Sequence, residues 1–325
     1  MRIIVTGGSG FIGTNLVEHF VAKGDLVSNI DILPPRNQLH VAYWKKIDLL
    51  DAEDLLKSVQ EFKPDIILHM AARTDLDGKT LADYAANTVG VSNLLGAIAG
   101  LTTLRRVIFA SSRLVCRIGY QPVNEFDFCP TTSYGESKVL GEQIVREASK
   151  NIPCPWMIVR PTSIWGPWFD VPYKTFFLTI AKDRYFHPGK SKILKSFGFV
   201  GNTVHQLHCL LNADPASVNG KTLYLADYPP IDVAAMADSI QRAENVRPIY
   251  SVPIALLRIA AYAGDVLKTL GFAHPPLTSF RLDNLLTPMV HDLSILEGIA
   301  GELPYTMQQG IDITVTWLRQ RGEIV

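Results

Sequence analysis

Short apolar runs alternate with longer stretches of helical periodicity through the first half of the chain. Residues 3–5, 27–31, 65–69, 106–110 and 156–160 are brief and rich in Ile, Val and Phe, which predicts strands. Between them, residues 13–22, 51–60, 81–99 and 133–147 place apolar side chains three and four apart, which predicts helices. Strand–helix alternation at these lengths implies parallel strands joined by right-handed helical crossovers, an α/β, doubly wound parallel sheet. After Pro161 the pattern changes. Residues 164–200 are dense in aromatics, Pro and Gly and read as loop and short helix, 223–226 reads as one more strand, and 229–325 as mostly helical. The expected organisation is a sheet-bearing unit at 1–165 with a returning segment near 200–228, and a smaller, mostly helical unit built from 166–199 and 229–325.

Composition narrows the function. With 31 Lys+Arg against 31 Asp+Glu the net charge is zero, which argues against a nucleic-acid partner. Apolar residues make up 47% of the 325, enough for a sizeable core. Cys116, Cys129, Cys154 and Cys209 are scattered with no CxxC spacing, so neither a metal site nor a disulfide framework is expected. The first residues run directly into a strand and show no signal-peptide pattern. The most apolar stretch, 252–272, is interrupted by Arg258, Asp265 and Lys268, so it reads as an amphipathic helix rather than a membrane span. A cytoplasmic protein is expected.

Residues 6–13, Thr-Gly-Gly-Ser-Gly-Phe-Ile-Gly, follow the first strand and open the first helix. Gly7 would make the tight turn, Gly10 would let the backbone approach a pyrophosphate, and Gly13 would let helix pack on strand. The helix start at Phe11, Ile12 and Gly13 offers free N–H groups and a partial positive charge to the anion. Asp31, eighteen positions after Gly13 at the end of the second strand, is placed to accept from the adenosine ribose hydroxyls. That favours NAD over NADP, although Arg36 nearby keeps NADP open.

Tyr134 and Lys138 stand one helical turn apart in Tyr-Gly-Glu-Ser-Lys, downstream of Ser111-Ser112 at a strand end. A phenol ordinarily titrates near ~10, so bringing it to neutrality takes about 4 kcal/mol of differential stabilisation, within reach of two nearby positive charges. Ser112 could hold the substrate oxygen that Tyr134 deprotonates.

At these residues the chain resembles the extended short-chain dehydrogenase/reductase family, in its nucleotide-sugar epimerase/dehydratase branch. The likeness rests on TGGSGFIG at 6–13, HMAA at 69–72, Asn87, FASS at 109–112, YGESK at 134–138 and RPTSIWGP at 160–167. It implies a Rossmann-type fold, a Ser112–Tyr134–Lys138 catalytic set and an NAD cofactor. It further implies that Asp48 and Leu49 line the adenine pocket, that Ala71 and Ala72 run along pyrophosphate and ribose, and that Asn87 belongs to the cofactor set. Lys138 would also bind the nicotinamide ribose, with Pro161 and Ser163 flanking the nicotinamide. A homodimer through the helices at 81–99 and 133–147 is also implied. Members that eliminate water or carbon dioxide carry an acid just after the residue matching Ser112; here Arg113 and Leu114 stand there, which removes most of the weight from those activities. Cys116 and Arg117 replace a usual Tyr-Gly, and Asn202 replaces a usual Asp, a feature shared with the 3β-hydroxysteroid dehydrogenase-like branch.

Candidate substrate contacts are Arg113, Trp165 and Arg281, with His187, Lys190, Lys192 and Lys195 as further cations in the same unit. A guanidinium fork at Arg281 matches a diphosphate, while Trp165 fits either ring stacking or core packing. The reading that follows is an NAD-dependent epimerase of a nucleotide-diphosphate sugar, acting through a transient keto-sugar. Its alternatives are an NAD(P)-dependent keto-sugar reductase or 3β-hydroxysteroid-type dehydrogenase, and a nucleotide-sensing binding protein.

Overall fold

The predicted alternation builds a seven-stranded parallel sheet. The computed structural model describes residues 1–272 and 277–324. Strands β1 (Arg2–Thr6), β2 (Leu26–Asp31), β3 (Trp44–Lys46), β4 (Ile66–His69), β5 (Arg106–Ala110), β6 (Trp156–Pro161) and β7 (Thr222–Leu225) line up in the order β7-β6-β5-β4-β1-β2-β3. The order reverses between β1 and β4, so the crevice beyond their C-terminal ends is the place where a ligand binds in sheets of this kind. Strands buried on both faces read as continuous apolar runs, and Ile3, Ile4 and Val5 are indeed fully buried.

Helices cover both faces. On one, α1 (Phe11–Ala22) and α6 (Val200–Asn212) bury Leu16, Val17, Phe20, Leu207 and Leu210 against the sheet. Each such side chain contributes roughly 1.5–3 kcal/mol by leaving water. On the other face, α2 (Ala52–Phe62), α3 (Val89–Ile98) and α4 (Ser133–Glu147) supply Leu55, Val59, Leu94, Ile98 and Val145. A buried ion pair ties α4 to β6: Arg160 Nε and Nη2 donate to the two oxygens of Glu142, both at 2.8 Å.

Two departures from the expected elements have local causes. The single helix expected over 81–99 is a 3-10 turn, Leu81–Asn87, followed by α3, because Tyr84 (φ −110°, ψ 31°) leaves helical geometry. Its buried ring sends the hydroxyl to Asp75 O at 2.9 Å, which favours the kink over a straight helix. Strand β3 is a three-residue edge strand whose Trp44-Lys45-Lys46 carries too short a pattern to read.

The second unit holds α5 (Tyr173–Ala181) and, after the four-residue α7 (Pro215–Val218), α8 (Val233–Glu244), α9 (Ile254–Thr269), α10 (Ser279–Leu286), α11 (Ser294–Ala300) and α12 (Met307–Gln320). Three short strand pairs, 163–165 with 197–199, 187–188 with 251–252 and 194–195 with 231–232, stitch it together. Its core gathers Trp165, Phe169, Phe177, Phe199, Met236 and Ile311. Helix α11, within the stretch expected in this unit, packs Leu296 into the sheet-side core. Asn202 lies buried in the first turn of α6, and its amide donates to Asp227 Oδ1 (3.1 Å) and Tyr305 O (2.9 Å). The carboxylate absent at position 202 is thus supplied from the end of β7.

Candidate active site

Glycines shape the floor of the crevice. Gly7 has φ +70°, and a Cβ on it would stand 2.6 Å from the Ala71 backbone; one on Gly13 would stand 2.0 Å from Gly7 O. Only hydrogen fits at either position, so β1 turns tightly into α1 and the helix axis aims into the crevice. Gly10 caps α1 without any side-chain hydrogen bond, so no side chain blocks the helix start. An anion meets open N–H groups there, which suits a pyrophosphate.

The cleft above this turn has a volume of about 870 Å3 and runs from Asp31 to Tyr134. Gly7, Gly10, Phe11, Ile12, Gly13, Asp31, Asp48, Leu49, Ala71, Ala72, Ser112, Tyr134, Lys138 and Pro161 all line it. One Asp31 oxygen accepts from Ser9 N and the other from Leu33 N, each at 3.0 Å. Burial raises the Asp31 carboxyl above the usual range, and those backbone N–H groups pull it back. Each oxygen keeps a lone pair for a ribose hydroxyl. Arg36 does not wait for a 2′-phosphate: its Nη1 donates to Trp168 O at 2.9 Å and lies 3.4 Å from Asp170 Oδ2. It thereby links the rim beside Asp31 to the loop 168–172 that forms the facing wall. The residues present fit a dinucleotide with an unphosphorylated ribose.

At the other end, Ser112 follows β5 and Tyr134 opens α4, whose N-cap Thr132 accepts from Gly135 N at 3.0 Å. Tyr134 and Lys138 are almost fully buried. Ser112 Oγ accepts from Leu114 N at 3.1 Å, leaving its own proton for the phenol. Burial pushes the Tyr134 phenol up; the hydrogen bond from Ser112 and the charge of Arg113 pull it down, while Tyr84 adds to the rise. Lys138 Nζ donates to Ala110 O at 2.8 Å, and burial holds its ammonium down at about 8. His69 beneath it is pushed down to about 3 by burial and by Lys138, so it is neutral, bonded to Thr6 Oγ1 at 2.8 Å. Among the cations, Arg113 lowers the phenol in this structure. The two catalytic candidates share a helix face, but the ammonium turns toward the β5 carbonyl.

Other expected residues lie behind the cleft. Asn87 is buried: its Oδ1 accepts from Arg73 N (2.8 Å), and its Nδ2 donates to Arg73 O (3.0 Å) and Ser137 Oγ (2.9 Å). That clamps the loop after β4 onto α4 rather than placing the amide on a cofactor. Ser163 accepts from the Tyr173 hydroxyl at 2.5 Å and sits under the lining. Trp165 is a correction: with no exposed surface it packs between Phe177 and Phe199, so core packing takes the place of a substrate contact. Arg281 lies in the first turn of α10, exposed and outside the cleft lining. Arg113, half-buried, begins the turn after Ser112 and faces Tyr134, Lys195 and His291.

Sequence reading missed His291 and singled out Lys195 only as one of several cations. Burial and Arg113 push Lys195 down to about 8, and its Nζ donates to Asn284 O at 2.6 Å. Burial, Arg113 and Arg160 push His291, stacked on Tyr224, down to about 4. These groups come from segments nearly two hundred residues apart, so no spacing could have revealed them.

Comparisons with known proteins place these features. The model of the "NAD dependent epimerase/dehydratase family" matches residues 3–221. Among curated relatives, the chain is 25% identical to the Escherichia coli N-acetylglucosaminyl-diphospho-undecaprenol 4-epimerase, over 97% of this chain and 95% of that one. It is 23% identical to the decarboxylating sterol-4-α-carboxylate 3-dehydrogenase of Candida albicans, over 98% and 97%. Among solved structures, the Thermus thermophilus UDP-glucose 4-epimerase in complex with NAD superposes with a TM-score of 0.70 at 20% identity, covering 98% of this chain and 99% of that one.

Proposed function

Since the chain belongs to the NAD-dependent epimerase/dehydratase family, we propose that it inverts a hydroxyl-bearing carbon of a sugar diphosphate, a nucleotide sugar in the first instance, through a transient keto-sugar. The observation that carries the reading is the placement of the Ser112 hydroxyl and the Tyr134 phenol together, at the C-terminal end of β5, on the wall of the dinucleotide cleft.

Bound NAD supplies the hydride acceptor and donor. The chain's own groups handle position and proton. Ser112 donates toward the oxygen that Tyr134 serves, and holds the sugar hydroxyl against the phenol. Tyr134 takes the hydroxyl proton and returns it after the keto-sugar has turned its other face. Lys138, which lines the cleft with its ammonium on the Ala110 carbonyl, is the group that would meet a ribose hydroxyl of the cofactor. Burial keeps the phenol a weak base on its own, so its activation would draw on positive charge beside it, from Arg113, the Lys138 ammonium and the ring that oxidised NAD would bring. The Arg113, Lys195 and His291 cluster suits a diphosphate. At positions 113 and 114 no carboxylate stands ready to assist elimination. A homodimer through α3 and α4 accompanies this reading.

The test is turnover with retained cofactor. Purified protein should release NAD on denaturation and convert UDP-sugars to their epimers without NADH in solution. A second reading, net oxidation of a hydroxysteroid-like alcohol, is supported by the full-length likeness to the sterol dehydrogenase. NADH accumulating in proportion to product would favour it.

A further inference from the structure

Helix α9 shows solvent the side that helices usually hide. Leu256, Ile259, Tyr262, Val266 and Leu270, with Phe280 on the neighbouring α10, are between 41% and 73% exposed. At 100° per residue Leu256, Ile259, Tyr262 and Val266, with Leu270 at the C-cap, fall on one half of the circumference, with no charge among them. Arg258, Asp265 and Lys268 fall on the other half. Arg258 lies 3.7 Å from Asp283, and Asp265 accepts from Ser279 N, both groups on α10. Only Ala261 and Gly264 of α9 are buried. Six such side chains, at on the order of 100 Å2 each, reach the top of the roughly 300–600 Å2 that the largest apolar patch of a typical monomer spans.

Charge says what covers this face. Leaving out the buried Lys195, residues 182–194 and 246–287 hold eight Lys+Arg against three Asp, while the rest of the chain holds 23 against 28. A second copy meeting this face about a twofold axis would set the same cations against each other. An anionic bilayer sets phosphates against the cations and acyl chains against the apolar half of α9. Among the described residues no helix is long and apolar enough to cross a membrane, so the contact is interfacial. We propose that α9 and α10 dock this protein on an anionic phospholipid surface. The inner side of the same pair reaches the candidate active site: Asn284 O of α10 holds Lys195, and Arg113 acts on both Lys195 and Tyr134. Docking therefore brings the substrate end of the cleft to the membrane face.

Vesicle flotation of the full chain tests this independently of turnover. The protein should float with vesicles of phosphatidylglycerol and phosphatidylcholine at one to three, much less with phosphatidylcholine alone, and less as salt rises. A Leu256→Ser/Ile259→Ser/Leu270→Ser variant should lose about tenfold or more of the binding. Its melting temperature and its retained NAD should stay close to wild type, which shows that it folds. No flotation with the anionic vesicles overturns the proposal, as does binding that the triple variant retains. A wild-type dimer that the variant turns into monomer, without vesicle binding by either, overturns it in favour of a second copy.

Discussion

Tyr134 is a weak base by itself and a strong one only in company. Burial lifts its phenol, Ser112 and Arg113 lower it, and Lys138 faces a carbonyl. Tyr134→Phe should therefore cut kcat by roughly 10²–10⁴-fold, the range for a lost proton-transfer group. The melting temperature and the retained NAD should stay close to wild type, checked by steady-state kinetics and thermal shift. Lys138 carries a different signature. Its ammonium is held at about 8 by burial, below the ordinary value of 10.5. The folded chain thus binds its proton less tightly than the unfolded chain. The charged form destabilises the fold fully below pH 8, and this cost fades between pH 8 and 10.5. Lys138→Met should raise the stability of the cofactor-free protein at pH 7 by on the order of 2–3 kcal/mol, less the lost Ala110 bond. The gain should shrink toward pH 10.5, read as melting temperature against pH, while activity falls sharply.

Elements position these residues, and two of their joints are unforgiving. A methyl on Gly13 would lie 2.0 Å from the Gly7 carbonyl, so Gly13→Ala must push α1 off β1. Loss of retained NAD and a melting temperature lower by several degrees are expected, measured on the same preparation. The Arg160–Glu142 pair joins β6 to α4, the helix that carries Tyr134 and Lys138. Glu142→Ala leaves a buried guanidinium without its carboxylate and should cost about 3–5 kcal/mol in denaturant unfolding. The glycine turn, the strands of the first half and the Tyr134–Lys138 spacing were legible because each is local: a period of two or of 3.6, or a turn that only glycine satisfies. The kink at Tyr84 was not, because a hydroxyl bond to Asp75 decides it. Nor was β3, whose three residues carry no period.

At the scale of the molecule, the chain divides its tasks across the cleft. The parallel sheet holds the dinucleotide floor, and the second unit brings Phe169, Asp170 and Tyr173 to the wall. The cluster of Arg113, Lys195 and the neutral His291 was illegible in sequence because the chain assembles it from distant segments. Trp165 misled because an aromatic beside a family motif looks the same in sequence whether it faces a ligand or the core. The central claim is a hydride that leaves the sugar and comes back within one turnover. The most direct measurement follows a deuterium placed on the reacting carbon of a nucleotide sugar converted by the protein with its retained NAD. The account predicts an epimer that keeps the label, with no NADH in solution. Label recovered in free NADH, in step with an oxidised product, would contradict it.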